Sequence, residues 1–297
     1  MTGSKPPAVA GNNTSIGAQK NCFLSNKLRL ATDDSTGFLY QRCATGSLVM
    51  SNIFLAVSII TLAEMELGCV GADVECGKIY GFKPSSLIAV SATVSGILSA
   101  FILPFIGAVI DYTPHRHLLG VVSSVIVVAI QAIQIYTVEG TWFLMTILQS
   151  FAGFMFQVVT LVSYGYLPEI AATIDAQTLK WYSSLYYMFF FGHQVLFLVA
   201  IAAISIIFAT SDVLTAQISQ GIDALATGGY FVLTWYYFTK KEAKAELPEG
   251  SSLIGAGFTQ VFRTSKGLYD HYPKTVGMFF LGCAFSQASK YSFIAIR

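Results

Sequence analysis

The sequence predicts an all-α fold, a polytopic bundle of transmembrane helices, and two observations support that prediction. Hydrophobic residues make up 54% of the 297 residues and charged residues only 11%, whereas soluble domains average about 25% charged residues. Apolar windows also recur along the chain at the length a membrane helix needs, because a hydrocarbon core about 30 Å thick takes about 20 residues of helix. The chain is therefore expected to cross the lipid bilayer several times.

The first element is a polar segment over residues 1–45, which we expect to be a loose cytoplasmic tail. It contains Pro6-Pro7, Asn12-Asn13 and Asp33-Asp34. No apolar run precedes residue 47 that has the pattern of a cleavable signal. The tail is followed by a predicted six-helix half-bundle over residues 46–239.

Six apolar windows, with bounds good to a few residues, define that half-bundle. Their predicted ranges are 47–68, 86–110, 118–138, 141–166, 182–210 and 221–238. The connection over residues 240–274 is a predicted cytoplasmic linker whose apolar residues share one helical face, typical of a helix on the membrane surface. A plain connecting helix is the alternative. Residues 275–297 form a seventh apolar window, a predicted seventh transmembrane helix.

The distribution of lysine and arginine predicts the orientation of the bundle. Thirteen basic residues lie in the tail and in the second, fourth and sixth connections, whereas only Lys78 and Lys83 lie in the opposite connections. Basic residues are enriched on the cytoplasmic side of membrane proteins. The N-terminus is therefore expected in the cytoplasm, and Cys69 and Cys76 on the lumenal side. An oxidising lumen permits a disulfide between these two cysteines, and two free thiols are the alternative.

Several classes of protein are excluded or lack support. A net charge of +1 gives no basic field for nucleic acid. The sequence contains no P-loop, no GxGxxG or HExxH motif, no CxxC pair and no nucleophile elbow. We therefore expect no catalytic residues, no cofactor and no bound metal, and the chain is not expected to be an enzyme.

Polar side chains inside the apolar windows are the candidate binding residues. Such groups cost about 2.5–3.5 kcal/mol in a membrane on insertion scales when they are ionised, so they call for a partner, a water cavity or a function. Gln157 and Tyr164 lie 20° apart on one helical face, while Asn52, His193 and Gln194 lie in other windows. These five residues are expected to line a path for a small polar solute. Hydrogen bonds between helices are the alternative explanation.

Three further polar or small residues lie at a charged turn after the second window. Gly107 would let another helix approach, Asp111 can accept hydrogen bonds from a neighbouring helix and Arg116 needs an acidic partner. We expect this turn to act in gating, and a solvated helix end is the alternative. Asp223, by contrast, is expected to be a favourable charge at the N-terminus of the sixth helix.

Three stretches resemble the vacuole effluxers, autophagy-related members of the major facilitator superfamily. They are Pro104-x-x-Gly107-Ala-x-x-Asp111-Tyr112 followed by Arg116, the segment Ser163-Tyr-Gly-Tyr-Leu-Pro-Glu-Ile-Ala171, and a linker over residues 246–273. The resemblance implies the N-terminal half of a twelve-helix transporter with a central site between its halves. It also implies gating roles for Gly107, Asp111 and Arg116, with Tyr164, Pro168 and Glu169 at the cytoplasmic end of helix four.

The expected function is transport of small polar solutes by alternating access. The resemblance implies efflux of amino acids from a vacuole or lysosome-like compartment to the cytosol, with the chain in the vacuolar membrane. Because the sequence ends at Arg297, within the seventh window, a second half or a second copy of the chain is an expected partner. The alternative is a truncated or non-transporting membrane adaptor derived from a transporter, which would recruit cytosolic proteins through its tail and linker.

Overall fold

The computed structural model describes residues 30–69, 77–247, 250, 252–272, 275, 277–278 and 281–282. Within these ranges the regular structure is helical, apart from one isolated bridge between Ile79 and Phe82. The predicted all-α fold is confirmed. Most of the tail and most of the seventh window lie outside the described residues.

The described residues form eight α-helices and one short 3₁₀ helix. The 3₁₀ helix Pro84–Ser86 leads directly into the second α-helix. In chain order the α-helices are α1 (Asp33–Glu66), α2 (Leu87–Tyr112), α3 (Arg116–Gln134), α4 (Trp142–Tyr164), α5 (Leu167–Ala172), α6 (Ala176–Phe208), α7 (Asp212–Tyr237) and α8 (Leu253–His271). Helices α1, α2, α3, α4, α6 and α7 correspond to the six predicted windows.

Five segments are long and apolar enough to cross a membrane: α1, α2 with its 3₁₀ turn, α3, α4 with α5, and α6. The protein is therefore a multi-pass integral membrane protein. Helix α7 has a similar length of 26 residues but does not reach that hydropathy. Its polar side chains explain the difference, since they are buried in the bundle instead of facing lipid: Thr215, Ser219, Gln220, Asp223, Thr227 and Thr234.

Helix α1 begins well before the predicted end of the tail at residue 45. The Thr32 side chain caps its N-terminus by accepting a hydrogen bond from the Ser35 amide, and residues 34–39 and 41–48 are buried. Small and polar residues fill these first turns, which is why a hydropathy window misses them. At 1.5 Å per residue, the 34 residues of α1 span about 51 Å, which exceeds the hydrocarbon core.

Helix α1 is the centre of the bundle. It packs along α7 and α6, while α4 packs against α2 and α3, and α3 also contacts α7. Close packing depends on glycine at particular positions. A Cβ atom on Gly46 would lie 2.5 Å from the Phe190 carbonyl oxygen, and one on Gly120 would lie 1.9 Å from the Trp235 ring. These two glycines allow α1 to approach α6 and α3 to approach α7.

Helix α8 forms where the amphipathic pattern of the linker predicts a helix. Ala256 and Gly257 are buried, and a Cβ on Gly257 would lie 2.3 Å from the Pro104 carbonyl oxygen of α2. The apolar residues Ile254, Phe258 and Phe262 remain exposed. The helix therefore packs against the side of α2 through its small residues and leaves its large apolar residues uncovered within the described part of the chain.

Candidate functional site

The alternating direction of the helices brings six chain segments together at one end of the bundle. The N-termini of α1, α3 and α6 meet the C-termini of α2, α5 and α7 there. Tyr182 of α6 accepts a hydrogen bond from the Ala31 amide, and Asp34 of α1 accepts one from the Thr239 amide beyond α7. This end carries a set of charged side chains, here called the charged cluster: Asp34, Asp111, Arg116, Glu169, Lys241 and Lys244.

Arg116 is the most buried member of the charged cluster, with 2% of its side chain exposed. Its guanidinium donates hydrogen bonds to Glu169 Oε1 at 2.8 Å and to the Gly165 carbonyl at 2.9 Å. The same group lies 4.1 Å from the centre of the Tyr166 ring. A planar guanidinium suits this combination of carboxylate, carbonyl and aromatic face. Arg116 was predicted to need an acidic partner, and that partner is Glu169.

Two lysines that follow α7 extend the charged cluster to α1 and α2. Lys241 lies 3.1 Å from Asp34 and 3.5 Å from Glu169. Lys244 lies 3.6 Å from Asp111 and donates a hydrogen bond to the Gly165 carbonyl. The side chains of both lysines are about one-third exposed, so water and salt weaken these pairs. The cluster thus joins the Arg116–Glu169 pair, whose arginine is buried, to three ion pairs in which the lysine is about one-third exposed.

A groove between α2, α4 and α8 lies beside the charged cluster. Its volume is about 530 Å³, within the range of small-molecule sites. Small residues open the α2 side, and Gln157 supplies a polar group from α4. The residues that argue for a binding site are Gly96, Ser99, Gly107, Asp111 and Gln157. Gln157 donates a hydrogen bond to Ser95 Oγ at 3.3 Å.

The five residues predicted for the solute path do not meet in one pocket. Gln157 lines the groove, whereas His193 lies between α6 and α7, with Nε2 2.9 Å from the Tyr230 hydroxyl. Gln194 is half-buried next to it on α6. Asn52 is on α1, with a buried side-chain oxygen that has no hydrogen-bond partner in the described structure. Tyr164 is at the end of α4, beside the Arg42 guanidinium at 4.8 Å.

The residues predicted for gating lie at the charged end. Gly107 and Asp111 line the groove, Arg116 pairs with Glu169, and Pro168 is exposed in the first turn of α5. A Cβ atom placed on Gly107 would meet no atom of the described residues within 4 Å. A neighbouring helix therefore does not fill this position, and the space belongs to the groove.

Asp223 is the polar residue for which the position predicted from the sequence differs most from the observed one. It lies eleven residues inside α7, which begins at Asp212, and it is completely buried. The predicted place at a helix N-terminus is therefore wrong, because the polar first turns of α7 were not recognised as helix. Thr227 donates to Asp223 Oδ1 at 2.8 Å, and the Gln131 amide of α3 donates to Oδ2.

The two cysteines that the structure describes lie in different environments. Cys43 is free and buried in α1. Cys69 is disulfide-bonded. Cys76, its predicted partner, lies outside the described residues, so the pairing between these two cysteines stays a prediction. In the described ranges no group of three His, Cys, Asp or Glu residues is arranged to hold a metal ion.

Comparison of the chain with family models, curated proteins and solved structures gives no match. We therefore classify the protein from its own architecture. It is an all-α, multi-pass membrane protein with a charged cluster at one end of its bundle and a groove along one side that is lined mainly by small and apolar residues.

Proposed function

We propose that this chain belongs to a transporter of small polar solutes that works by alternating access. The observation that carries the proposal is the groove between α2 and α4, where Gln157 presents an amide within a membrane-spanning segment. Polar groups at that depth are costly unless they have partners or a water-filled cavity. The groove gives the Gln157 amide an opening between the helices, and its volume of about 530 Å³ is within the range of small-molecule sites.

The charged cluster supports a gating role at the same end. Arg116 and Glu169 join α3 to α5, while Lys244 joins the segment after α7 to Asp111, at the end of the groove. Ion pairs between helix ends can break and re-form at modest cost when they are exposed to water. Opening of this end would therefore require loss of the exposed pairs around a more persistent Arg116–Glu169 pair.

Amino acids as substrates, a vacuolar or lysosome-like membrane and a cytoplasmic N-terminus complete the proposal. The first two rest on the resemblance to vacuole effluxers. The orientation rests on the excess of basic residues, since Lys241 and Lys244 lie at the same end as the start of α1. A second half or a second copy of the chain would complete a central site.

The test is solute flux through the full chain in proteoliposomes. Radiolabelled neutral amino acids should enter protein-containing vesicles faster than protein-free vesicles. Gln157→Leu, which removes the amide from the groove, should reduce this flux at least tenfold with expression unchanged. The matched control is Gln177→Leu, because Gln177 is exposed at the start of α6.

Two results would count against the proposal. Equal flux in wild type and Gln157→Leu would remove the groove from the mechanism. No flux above protein-free vesicles for any solute tested would favour the alternative of a membrane adaptor. His193→Leu tests the second part of the predicted path, since loss of flux in that variant would extend the path to α6.

A further inference from the structure

The interior of the bundle holds an aspartate that is not neutralised by a basic side chain. Asp223 is 0% exposed, and none of the ion pairs among the described residues includes it. A carboxylate buried in this way is strongly disfavoured, so such a group binds a proton or acquires a positive partner. This inference goes beyond the proposed function and does not depend on it.

The neighbours of Asp223 can stabilise its ionised form. The Thr227 hydroxyl donates to one carboxylate oxygen at 2.8 Å, and the Gln131 amide donates to the other. The Ser47 hydroxyl of α1 lies 3.2 Å from the Thr227 hydroxyl and so supports that donor. Donors from α3 and α7 therefore converge on this carboxylate, and hydrogen bonds to a charged group favour its charged state.

The same neighbourhood can also accept a hydrogen bond from the protonated, neutral form of Asp223. Gln131 Oε1 and Gln220 Oε1 are buried and have no hydrogen-bond partner in the described structure. Gln131 is already bonded to Asp223 through its nitrogen, and Gln220 lies one helical turn earlier on α7. A protonated carboxyl group is a hydrogen-bond donor, so it would satisfy one of these amide oxygens. The site thus has partners for both protonation states.

The packing favours a proton over a metal ion. Asp223 and Gln220 are 0% exposed and Gln131 is 1% exposed. A hard metal cation needs about six oxygen ligands at fixed distances and therefore a cavity. A proton needs only a carboxyl oxygen and an acceptor. We propose that Asp223, with Gln131, Thr227, Ser47 and Gln220, forms a reversible proton-binding site inside the helix bundle.

Few other titratable groups face this site. On α6 the nearest is His193, which is bonded to the Tyr230 hydroxyl, seven residues and about 10.5 Å along α7 from Asp223. On α1 the buried Cys43 lies one turn before Ser47. On α3 the titratable residues Arg116 and His117 are at the distant N-terminus, where Arg116 pairs with Glu169 and His117 contacts Trp235 of α7. We therefore expect the pH dependence of this buried site to come mainly from proton binding to Asp223.

Infrared spectroscopy of the purified full chain in lipid nanodiscs tests this proposal directly. A protonated carboxylic acid gives a carbonyl stretching band that an ionised carboxylate lacks. The band from a buried group should disappear reversibly as pH is raised, and it should shift when aspartate is labelled with ¹³C. Asp223→Asn should abolish it. The matched control, Asp212→Asn at the exposed start of α7, should keep it.

A donor variant sharpens the test. Thr227→Val removes a hydrogen bond to the ionised form, so it should bind the proton about tenfold more tightly, a shift of about one pH unit in the midpoint. This variant also guards against the case in which Asp223→Asn does not fold, because it retains the carboxyl group. The measurement reports proton binding without any transport, so its failure is separate from a failure of the flux assay.

Three results would overturn the proposal. The first is a wild-type spectrum with no pH-dependent carboxylic acid band that carries the aspartate label. The second is a band that survives in folded Asp223→Asn. The third is a carboxylate signal that ignores pH but changes when sodium replaces choline, which would make the site a metal-cation site instead.

Discussion

The Arg116–Glu169 pair provides the sharpest test of the charged cluster. Glu169→Gln keeps the size of the side chain and an oxygen that can accept from Arg116, but it removes the negative charge. Arg116 is 2% exposed, so its charge is then left with the Gly165 carbonyl and the Tyr166 ring. The bundle should lose stability because a buried charge loses its counter-charge.

The size of this loss follows from burial. Removing one partner of a fully buried ion pair costs about 3–5 kcal/mol, but Glu169 is 29% exposed and also lies near Lys241. Solvent screening therefore reduces the effect, and glutamine retains part of the hydrogen bond. We expect a decrease of about 2 kcal/mol in the free energy of unfolding, in line with hydrogen bonds to charged groups.

The assay is reversible unfolding in mixed micelles, followed by the fluorescence of the buried Trp142 and Trp235. Lys241→Met is the control. It removes a cation that is 35% exposed, so it should cost less than about 1 kcal/mol. A double-mutant cycle with Arg116→Met should give a coupling energy above about 1 kcal/mol between positions 116 and 169. The reasoning would be refuted if Glu169→Gln changed stability by less than Lys241→Met.

Two further predictions concern packing and capping. Gly120→Ala should lower the free energy of unfolding by about 1–3 kcal/mol, because its Cβ would overlap the Trp235 ring. The control Gly192→Ala meets no atom within 4 Å and should be neutral or stabilising in the same unfolding assay. Equal effects of the two substitutions would contradict the packing of α3 on α7. Hydrogen bonds from Thr178 hold the pKa of Asp175 below its usual value, so the charged cap should make wild type more stable than Asp175→Asn above the ordinary aspartate pKa. That advantage should vanish as pH falls through the lowered pKa of Asp175 in the folded state. A stability difference between wild type and Asp175→Asn that stayed constant across the acidic range would refute this prediction.

The sequence was sufficient to predict the number of helices in the half-bundle and their membrane environment, but not where each helix begins. Apolar windows of spanning length gave α2, α3, α4 and α6 to within a few residues of their observed bounds at most ends, because hydropathy depends on local composition. The early turns of α1 and α7 escaped this approach. Their buried faces carry serine, threonine and glutamine, which resemble loop residues until a neighbouring helix is known to cover them.

Only part of the candidate site could be predicted from the sequence. The proximity of Gly107, Asp111 and Arg116 follows from one turn, and the need of Arg116 for an acid follows from its charge. That Gln157 faces α2 while His193 faces α7 depends on how each helix is rotated about its axis. Hydropathy does not determine that rotation when apolar residues surround the helix on every side.

The sequence by itself determined that this protein is helical and crosses a membrane, since both properties follow from local composition. Only the tertiary structure decided that Arg116 meets Glu169 across 53 residues and that Gln131 meets Asp223 across 92 residues. The physical reason is that such contacts require several helices to pack in one arrangement. A buried charge acquires its partners only when that packing is complete.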